Sequence, residues 1–175
     1  MTNYREIVTK AVIGKAKKTT IQEFSIEPEQ VPNTVLGCWI INNKFKGNNK
    51  DGKVLINGSF DVNVWYSYDS DTKTSVTTRT ISYEDIMNVT LKNDTTLDNT
   101  SEIIVRSLRQ PTVSNVEIKD NKVELKVEKE LGVEIVGNTK VKVSVEEYDD
   151  DYEELIDEEI ESEIESINPE YLEEK

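Results

Sequence analysis

Asp61 and Asp85 are the two acidic residues in this sequence with the best claim to catalysis, since each lies in a segment with alternating apolar positions. A pair of carboxylates can hydrolyse a glycosidic bond when one acts as the acid and the other as base or nucleophile. Acids on the solvent-facing side of a strand are common, so we favour a structural role for both. The chain has no histidine, which removes the usual general base and zinc ligand.

The cysteine, the glycines and the acidic run also argue against catalysis and metal binding. Cys38 is the only cysteine, so the chain cannot form an internal disulfide or a thiolate cage for a metal. Its apolar neighbours indicate a buried position, and cross-linking between chains is the less favoured reading. The seven glycines are too scattered for a phosphate loop, and the acidic run 149–151 lacks the spaced ligands of a calcium loop. We therefore expect no cofactor, no metal and no enzymatic activity.

Aromatic residues offer a different chemistry, a platform on which a sugar ring stacks. The candidates are Trp39, Trp65, Tyr66 and Tyr68. Alternation along the chain places Tyr66 and Tyr68 inside the fold and Trp65 outside, so core packing accounts for half of the set. Trp65, with Trp39, remains. A carbohydrate-binding β-sandwich module that uses exposed aromatics is therefore the alternative function.

Residues 54–68 form the segment around which the rest of the chain is organised. Its even positions are apolar or aromatic apart from Gly58, and most of its odd positions are polar. A period of two over this length predicts a strand with one face in a core. Gly58 indicates either a bend or a boundary between two strands. The inward set is Val54, Ile56, Phe60, Val62, Val64, Tyr66 and Tyr68.

Short apolar and β-branched runs separated by turn residues fill most of the remaining chain. They predict an all-β fold, an antiparallel β-sandwich or flattened barrel of about 8–10 strands. Residues 35–41 are apolar on both faces, which predicts a central strand, and residues 74–81 are β-branched and mostly polar, which predicts an edge or solvent-facing strand. Asp85 interrupts a set of apolar odd positions, which indicates a bulge or a polar site on the inner face.

Turn residues divide these predicted strands. Asn and Gly enrichment predicts a loop at 42–52. Turns are predicted at 69–72, 120–121 and 137–138, because Asn, Asp and Gly tolerate left-handed backbone conformations.

Charge divides the chain into a predicted β-domain, residues 1–148, and an acidic tail, residues 149–175. The tail holds 14 of the 35 acidic residues and one of the 21 basic ones, so it carries −13 of the total charge of −14. This balance argues against nucleic acid or an anionic membrane as a partner and for basic proteins or cations. The chain shows no secretory signal pattern and no apolar run near the roughly 18 residues of a membrane span. We expect residence inside a cell and no membrane insertion.

The acidic tail has an apolar stripe at helical spacing. Its dense carboxylates oppose a helix in isolation, so we expect a segment that is disordered alone or forms an amphipathic helix on a partner. The predicted partner-binding residues are Tyr152, Ile156, Ile160, Ile164, Ile167, Tyr171 and Leu172.

Several stretches, in order along nearly the whole chain, resemble the CotE family of outer spore coat morphogenetic proteins of endospore-forming Firmicutes. The matching residues are 4–12, 36–42, 61–68 with 72–74, 137–141, and 167–172 after an acidic run. The resemblance implies a non-enzymatic scaffold that is made in the mother-cell cytoplasm and then resides in the spore coat at the forespore surface. Its implied partners are copies of itself, a basement-layer spore coat morphogenetic protein and outer coat proteins.

Within that resemblance the two parts of the chain have different expected roles. We assign recruitment of coat proteins to the tail, with its carboxylates steering encounter. We assign self-association or targeting to the β-domain, through a sheet edge or the face that carries Trp65, Asn63 and Asp61.

Overall fold

Six long strands make up the part of the chain that the computed structural model describes, residues 3–145. The strands are β1 (Asn3–Ile26), β2 (Thr34–Lys50), β3 (Lys53–Tyr68), β4 (Lys73–Met87), β5 (Glu102–Lys119) and β6 (Lys122–Val145). Within these residues no helix is long and apolar enough to cross a membrane. The tail, with its predicted partner-binding residues, lies outside the described residues.

The strands form two three-stranded sheets. Sheet A has the order β1-β6-β5 and sheet B the order β2-β3-β4. The hairpin pairs β2/β3, β3/β4 and β5/β6 are antiparallel. The prediction of an all-β antiparallel sandwich is confirmed.

Apolar side chains from both sheets fill the space between them. Phe24 of sheet A meets Phe60 of sheet B edge to face, with ring centroids 6.1 Å apart. β6 contributes its odd positions to this core, and β3 its even ones, as a period of two requires. The buried residues of these two strands include Val54, Ile56, Phe60, Val62, Val64, Tyr66, Val123, Leu125, Val127, Leu131, Val133 and Ile135.

In β3 the even positions face the core, as predicted for residues 54–68, although Asn63 and Ser67 at odd positions are buried as well. Gly58 does not divide the strand, since β3 pairs with β4 in one unbroken register. Its lack of a side chain has another use, because a Cβ there would lie 2.3 Å from Tyr83 Cζ and 2.8 Å from the Lys44 carbonyl oxygen. Gly58 therefore makes room for the inward-facing ring of Tyr83. Tyr68, predicted to face inward, is half-buried at the end of the strand.

The predicted number of 8–10 strands is wrong for the described residues, because several short runs join into long strands. The predicted loop 42–52 belongs mostly to β2, which pairs with β3 as far as Lys50 and leaves only Asp51 and Gly52 in the turn. Their positive φ angles, 53° and 77°, suit a tight hairpin. β5 continues past Pro111 through a register shift between Arg109 and Thr112, where the missing N–H is tolerated.

The predicted turns have mixed outcomes. Residues 69–71 have φ between 53° and 63°, and Asp120 and Asn121 have φ of 51° and 62°, so both turns are confirmed. The predicted turn at 137–138 is wrong, because β6 runs through it.

Two predictions concern the position of strands in sheet B. Residues 74–81 lie in β4 at the edge of the sheet, as predicted. The prediction of a central strand at 35–41 is wrong, because β2 is the other edge of sheet B. Its outward residues Trp39 and Ile41 are apolar but exposed, and apolar residues on both faces gave the sequence the pattern of a doubly covered strand.

Candidate functional site

Three predicted residues follow one another along the outer face of β3. Asp61, Asn63 and Trp65 occupy odd positions, opposite in orientation to the buried even positions. Trp65 is 43 % exposed, Asp61 is partly buried and Asn63 is only 8 % exposed. Asn63 lies between the other two residues and is less exposed to solvent than either of them.

The flanking strands complete the face. Cross-strand pairing sets Trp39 of β2 opposite Asn63 and Gly37 opposite Trp65. On the other side, Val76, Thr78 and Thr80 of β4 pair with Trp65, Asn63 and Asp61 in turn. Residues paired across an antiparallel ladder share a face. The structure thus brings Trp39 to the same surface as Trp65, and we call this surface, Gly37, Trp39, Ile41, Asp61, Asn63, Trp65, Val76, Thr78 and Thr80, the tryptophan face.

Gly37 lies between the two indole rings. A Cβ at this position would be 3.7 Å from Trp39 Cζ3 and 3.8 Å from Trp65 Cε3. Both distances are ordinary van der Waals contacts, so each ring borders the space above the glycine. The absence of a side chain leaves a gap with an indole ring on either side.

Polar groups lie among these apolar ones. Asp61 accepts hydrogen bonds from Asn42 Nδ2 at 2.7 Å and Thr80 Oγ1 at 2.6 Å. These two bonds, the one from Asn42 first, hold the pKa of the Asp61 carboxyl below its usual value of 3.8. Asp61 is therefore an ionised acceptor at neutral pH.

Asn63 is incompletely paired. Its Oδ1 accepts a hydrogen bond from Thr78 Oγ1 at 2.7 Å. Its Nδ2 is shielded from water and has no partner in the described structure. A buried donor without a partner costs free energy, on the order of 1–3 kcal/mol, and is uncommon in native proteins.

Aliphatic side chains extend the tryptophan face at both edges. Ile41 of β2 is 46 % exposed and Val76 of β4 is 51 % exposed. Together with the two indole rings they make a surface on which a partner can bury apolar area.

Asp85 does not join Asp61. It pairs with Ile56, an inward position of β3, and is 4 % exposed, so the two carboxylates point to opposite sides of sheet B. They cannot flank one glycosidic bond. Of the two alternatives for Asp85, the structure shows a polar site on the inner face, with no shift in the register of β4.

Asp85 instead belongs to a charged cluster between the sheets. Lys129 Nζ of β6 lies 2.5 Å from Asp85 Oδ2 and 2.7 Å from Thr20 Oγ1. The same Nζ is 4.2 Å from the centroid of the Tyr83 ring. Lys18 Nζ approaches the other carboxylate oxygen at 3.5 Å from the partly exposed side. Sequence reasoning missed Lys129, although it occupies an odd position of β6 like the buried Val127 and Leu131.

This cluster alters the chemistry of Tyr83. Burial, and then the charge of Asp85, raise the pKa of Tyr83 to about 12. Its hydroxyl donates to Asn43 Oδ1 at 3.3 Å. The cluster is enclosed and its groups satisfy one another, which fits a structural role.

Two further predictions concern single residues. Tyr66 is buried, as predicted, and its hydroxyl donates to Gln30 Oε1 at 3.1 Å. Cys38 is half-buried, and desolvation raises the pKa of its thiol. Within residues 3–145, no group of three or more His, Cys, Asp or Glu side chains is arranged to hold a metal ion.

A family model described as outer spore coat protein E (CotE) matches residues 3–174. No curated protein and no solved structure matches the chain.

Proposed function

Since this chain belongs to the outer spore coat protein E (CotE) family, we propose that it is a non-enzymatic scaffold that self-assembles around the forespore and recruits outer coat proteins. The family gives the chain a place and a role in the spore coat. The finer assignment of tasks to parts of the chain is our proposal. The observation that carries it is the extent of the match, which spans the β-domain and nearly all of the acidic tail.

Self-association and targeting belong, in this proposal, to the β-domain. The tryptophan face supports it, because Trp65 and Trp39 expose large apolar rings that a partner can cover. Asn63 and Asp61 lie on the same face and would fix the orientation of that partner. A free edge of β2 offers a second route, since β2 pairs only with β3 among the described strands.

The tail, residues 149–175, would bind outer coat proteins. Its charge of −13 favours basic partners and speeds their encounter. Apolar anchors at helical spacing would then hold the partner. These anchors are Tyr152, Ile156, Ile160, Ile164, Ile167, Tyr171 and Leu172.

Location follows from the same proposal. The chain would be made in the mother-cell cytoplasm and moved to the forespore surface by a basement-layer spore coat morphogenetic protein. In this proposal the chain uses no cofactor, binds no nucleic acid and does not insert into a membrane.

A deletion tests the division of tasks. The full chain and a chain ending at residue 148 are compared for binding to purified outer coat proteins and for oligomer size. We expect the deletion to abolish binding and to leave the oligomer intact, because the buried apolar core of the described part of the chain lies within residues 13–135. A matched variant, Ile156→Ser with Ile164→Ser in the full chain, leaves the charge of the tail at −13 and removes two anchors. Retained binding in both variants, or a monomeric deletion product, would overturn the assignment.

A further inference from the structure

The two sheets have four edge strands, β1 and β5 in sheet A and β2 and β4 in sheet B. An edge strand leaves a row of backbone N–H and C=O groups unpaired, and proteins block such edges with prolines, bulges or lysines. Three of these edges carry such a feature. β5 contains Pro111 and shifts its register three times against β6. β2 shifts its register twice against β3, and β1 carries the exposed lysines Lys15, Lys17 and Lys18.

β4 has none of these features. It pairs with β3 from Lys73 to Met87 without a register shift. Residues 74–82 contain no proline, glycine or lysine, and Arg79 is their only charged residue. The others are Thr, Ser, Val and Ile, most of them β-branched residues that favour strands. This stretch is therefore a regular strand whose outer edge can accept another strand.

The ladder of sheet B determines which backbone groups of β4 are free. Asn33 N–H donates to the carbonyl oxygen of Ser67 at 2.8 Å, so Ser67 directs its backbone groups toward β2. Because this direction alternates in an antiparallel ladder, the even residues of β3 bond toward β4. They pair with odd residues of β4, as Val64 does with Thr77. The even residues of β4 therefore direct their N–H and C=O groups away from the sheet. Within residues 74–82 these are Thr74, Val76, Thr78, Thr80 and Ser82.

Few other groups occupy this edge. Within residues 3–145, no backbone hydrogen bond joins residues 74–82 to a segment outside sheet B. The guanidinium of Arg79 donates to the carbonyl oxygens of Thr78 and Glu27, at 3.3 Å each. Both bonds are long and exposed, so a strand that pairs with β4 can displace them.

From this edge we propose that two copies of the chain join through β4, antiparallel about a two-fold axis at Thr78. Their B sheets then form one continuous sheet of six strands. Thr78 faces its own copy, Val76 faces Thr80, and Thr74 faces Ser82, which gives about ten hydrogen bonds between the strands. This inference rests on the proposed self-assembly of the chain and names the strand through which it occurs.

The side chains of β4 suit this self-pairing. Residues paired across a ladder share a face, and on the outer face only hydroxyl and β-branched side chains would meet. On the inner face Arg79 would lie opposite Thr77. An axis one residue further along would set two copies of Arg79 opposite each other, and like charges in that position are destabilising. The strand is therefore self-complementary about Thr78, as a two-fold contact requires.

The β4 contact would leave the tryptophan face open, because it uses the edge of sheet B and not the face. One two-fold contact stops at a dimer, whereas two different contacts on the same chain link copies into an open array. A scaffold that covers a surface needs the second arrangement. Pairing through β4, together with a contact on the tryptophan face, would supply it.

Amide hydrogen exchange of the full chain tests the proposal without a substitution. Exchange is followed by mass spectrometry at low and at high protein concentration, and light scattering gives the mass of the assembly at each. Assembly through β4 should slow exchange in peptides that contain residues 74–82, because their free N–H groups gain partners. Peptides from residues 102–119 of β5 should exchange at the same rate at both concentrations.

A cysteine at the proposed axis gives a second test. Thr78→Cys in a Cys38→Ala background would place two thiols opposite each other, with Cα atoms about 5.5 Å apart, within the range of a disulfide. Mild oxidation should then link the assembled chains into covalent dimers. Thr112→Cys in the same background is the matched control, since Thr112 is an exposed residue of the edge strand β5. It should cross-link at least about tenfold more slowly, because nothing holds its thiols together.

The outcomes separate this inference from the proposed function. A chain that is monomeric at every concentration would overturn both. A chain that assembles while residues 74–82 exchange at an unchanged rate would overturn the β4 contact and leave self-assembly to another surface. Equal cross-linking of Thr78→Cys and Thr112→Cys in an assembled chain would also overturn the β4 contact. Thermal midpoints show whether both variants are folded, and exchange of the unmodified chain decides the question if either is not.

Discussion

Lys129 Nζ of sheet A lies 2.5 Å from Asp85 Oδ2 of sheet B, with both side chains at most 5 % exposed. The pair is separated by 44 residues in the chain and joins two sheets across the core. Removing two charges from water is costly, and mutual attraction offsets this cost only when the geometry is good. We therefore expect the pair to contribute more to the alignment of β4 with β6 than to the free energy of unfolding.

The first prediction concerns this ion pair. Lys129→Met leaves Asp85 buried without its closest partner and should lower the free energy of unfolding by about 3–5 kcal/mol. Lys129→Met with Asp85→Leu removes both charges and should recover most of that loss. Urea unfolding of the two variants and the unmodified chain measures the difference. A single variant as stable as the unmodified chain would contradict the role given to the pair.

Gly58 gives a second prediction. Gly58→Ala would place a methyl group 2.3 Å from Tyr83 Cζ and 2.8 Å from a backbone oxygen. Relief requires the strands to shift, so the loss of stability should be about 1–3 kcal/mol. Gly37→Ala is the control, because its methyl group would make only ordinary contacts with the indole rings. Its stability should stay within about 0.5 kcal/mol of the unmodified chain. Equal losses in both variants would contradict this explanation of Gly58.

The pKa of Tyr83 predicts the behaviour of the fold in alkali. In the unfolded chain this hydroxyl ionises near 10, and in the folded protein near 12. Its contribution to stability is therefore complete below pH 10 and is lost as the pH rises toward 12, where the unfolded state has released the proton and the folded state still holds it. Tyr83→Phe should reduce the loss of stability between pH 10 and 12.

Absorbance provides the measurement for Tyr83. Titration of the folded protein, followed at about 300 nm where tyrosinate absorbs, should show an ionisation step near pH 12. Tyr83→Phe should remove that step. A late step that persists in Tyr83→Phe would assign it to another tyrosine.

Sequence reasoning predicted β3 and β4 well because each has one face in the core and one face directed away from it. In β3, Phe60 and Val62 alternate with Asp61 and Asn63, and a period of two can be read directly. The same reasoning gives the wrong position for β2, since Trp39 is apolar and yet points outward. Exposed apolar residues such as Trp39 and Ile41 give an edge strand the composition of a core strand.

The prediction of a loop at 42–52 is wrong because composition alone does not show which strand a segment pairs with. Residues 42–50 have the composition of a loop, but pairing with β3 supplies their hydrogen bonds and extends the strand. The alternation of residues along β6 and β4 places Lys129 and Asp85 at inward positions, and this can be read from the sequence. Their pairing depends on how two distant strands meet, and a single sequence does not specify that.

A fourth prediction concerns the tryptophan face in assembly. Trp65→Lys adds a charge at the proposed contact and should weaken self-association at least about tenfold, which corresponds to 1.4 kcal/mol. Leu108→Lys adds the same charge at an exposed apolar residue of sheet A and should have little effect. Sedimentation equilibrium of both variants makes the comparison. If Leu108→Lys weakened assembly and Trp65→Lys did not, the contact would lie on the other sheet.

The most direct test of the scaffold is the mass of the full chain in solution, measured by size-exclusion chromatography with light scattering over a range of concentrations. We predict assemblies whose mass is a multiple of the monomer mass and persists on dilution to micromolar protein. A monodisperse monomer at the highest concentration would contradict the proposal that this chain is a self-assembling scaffold.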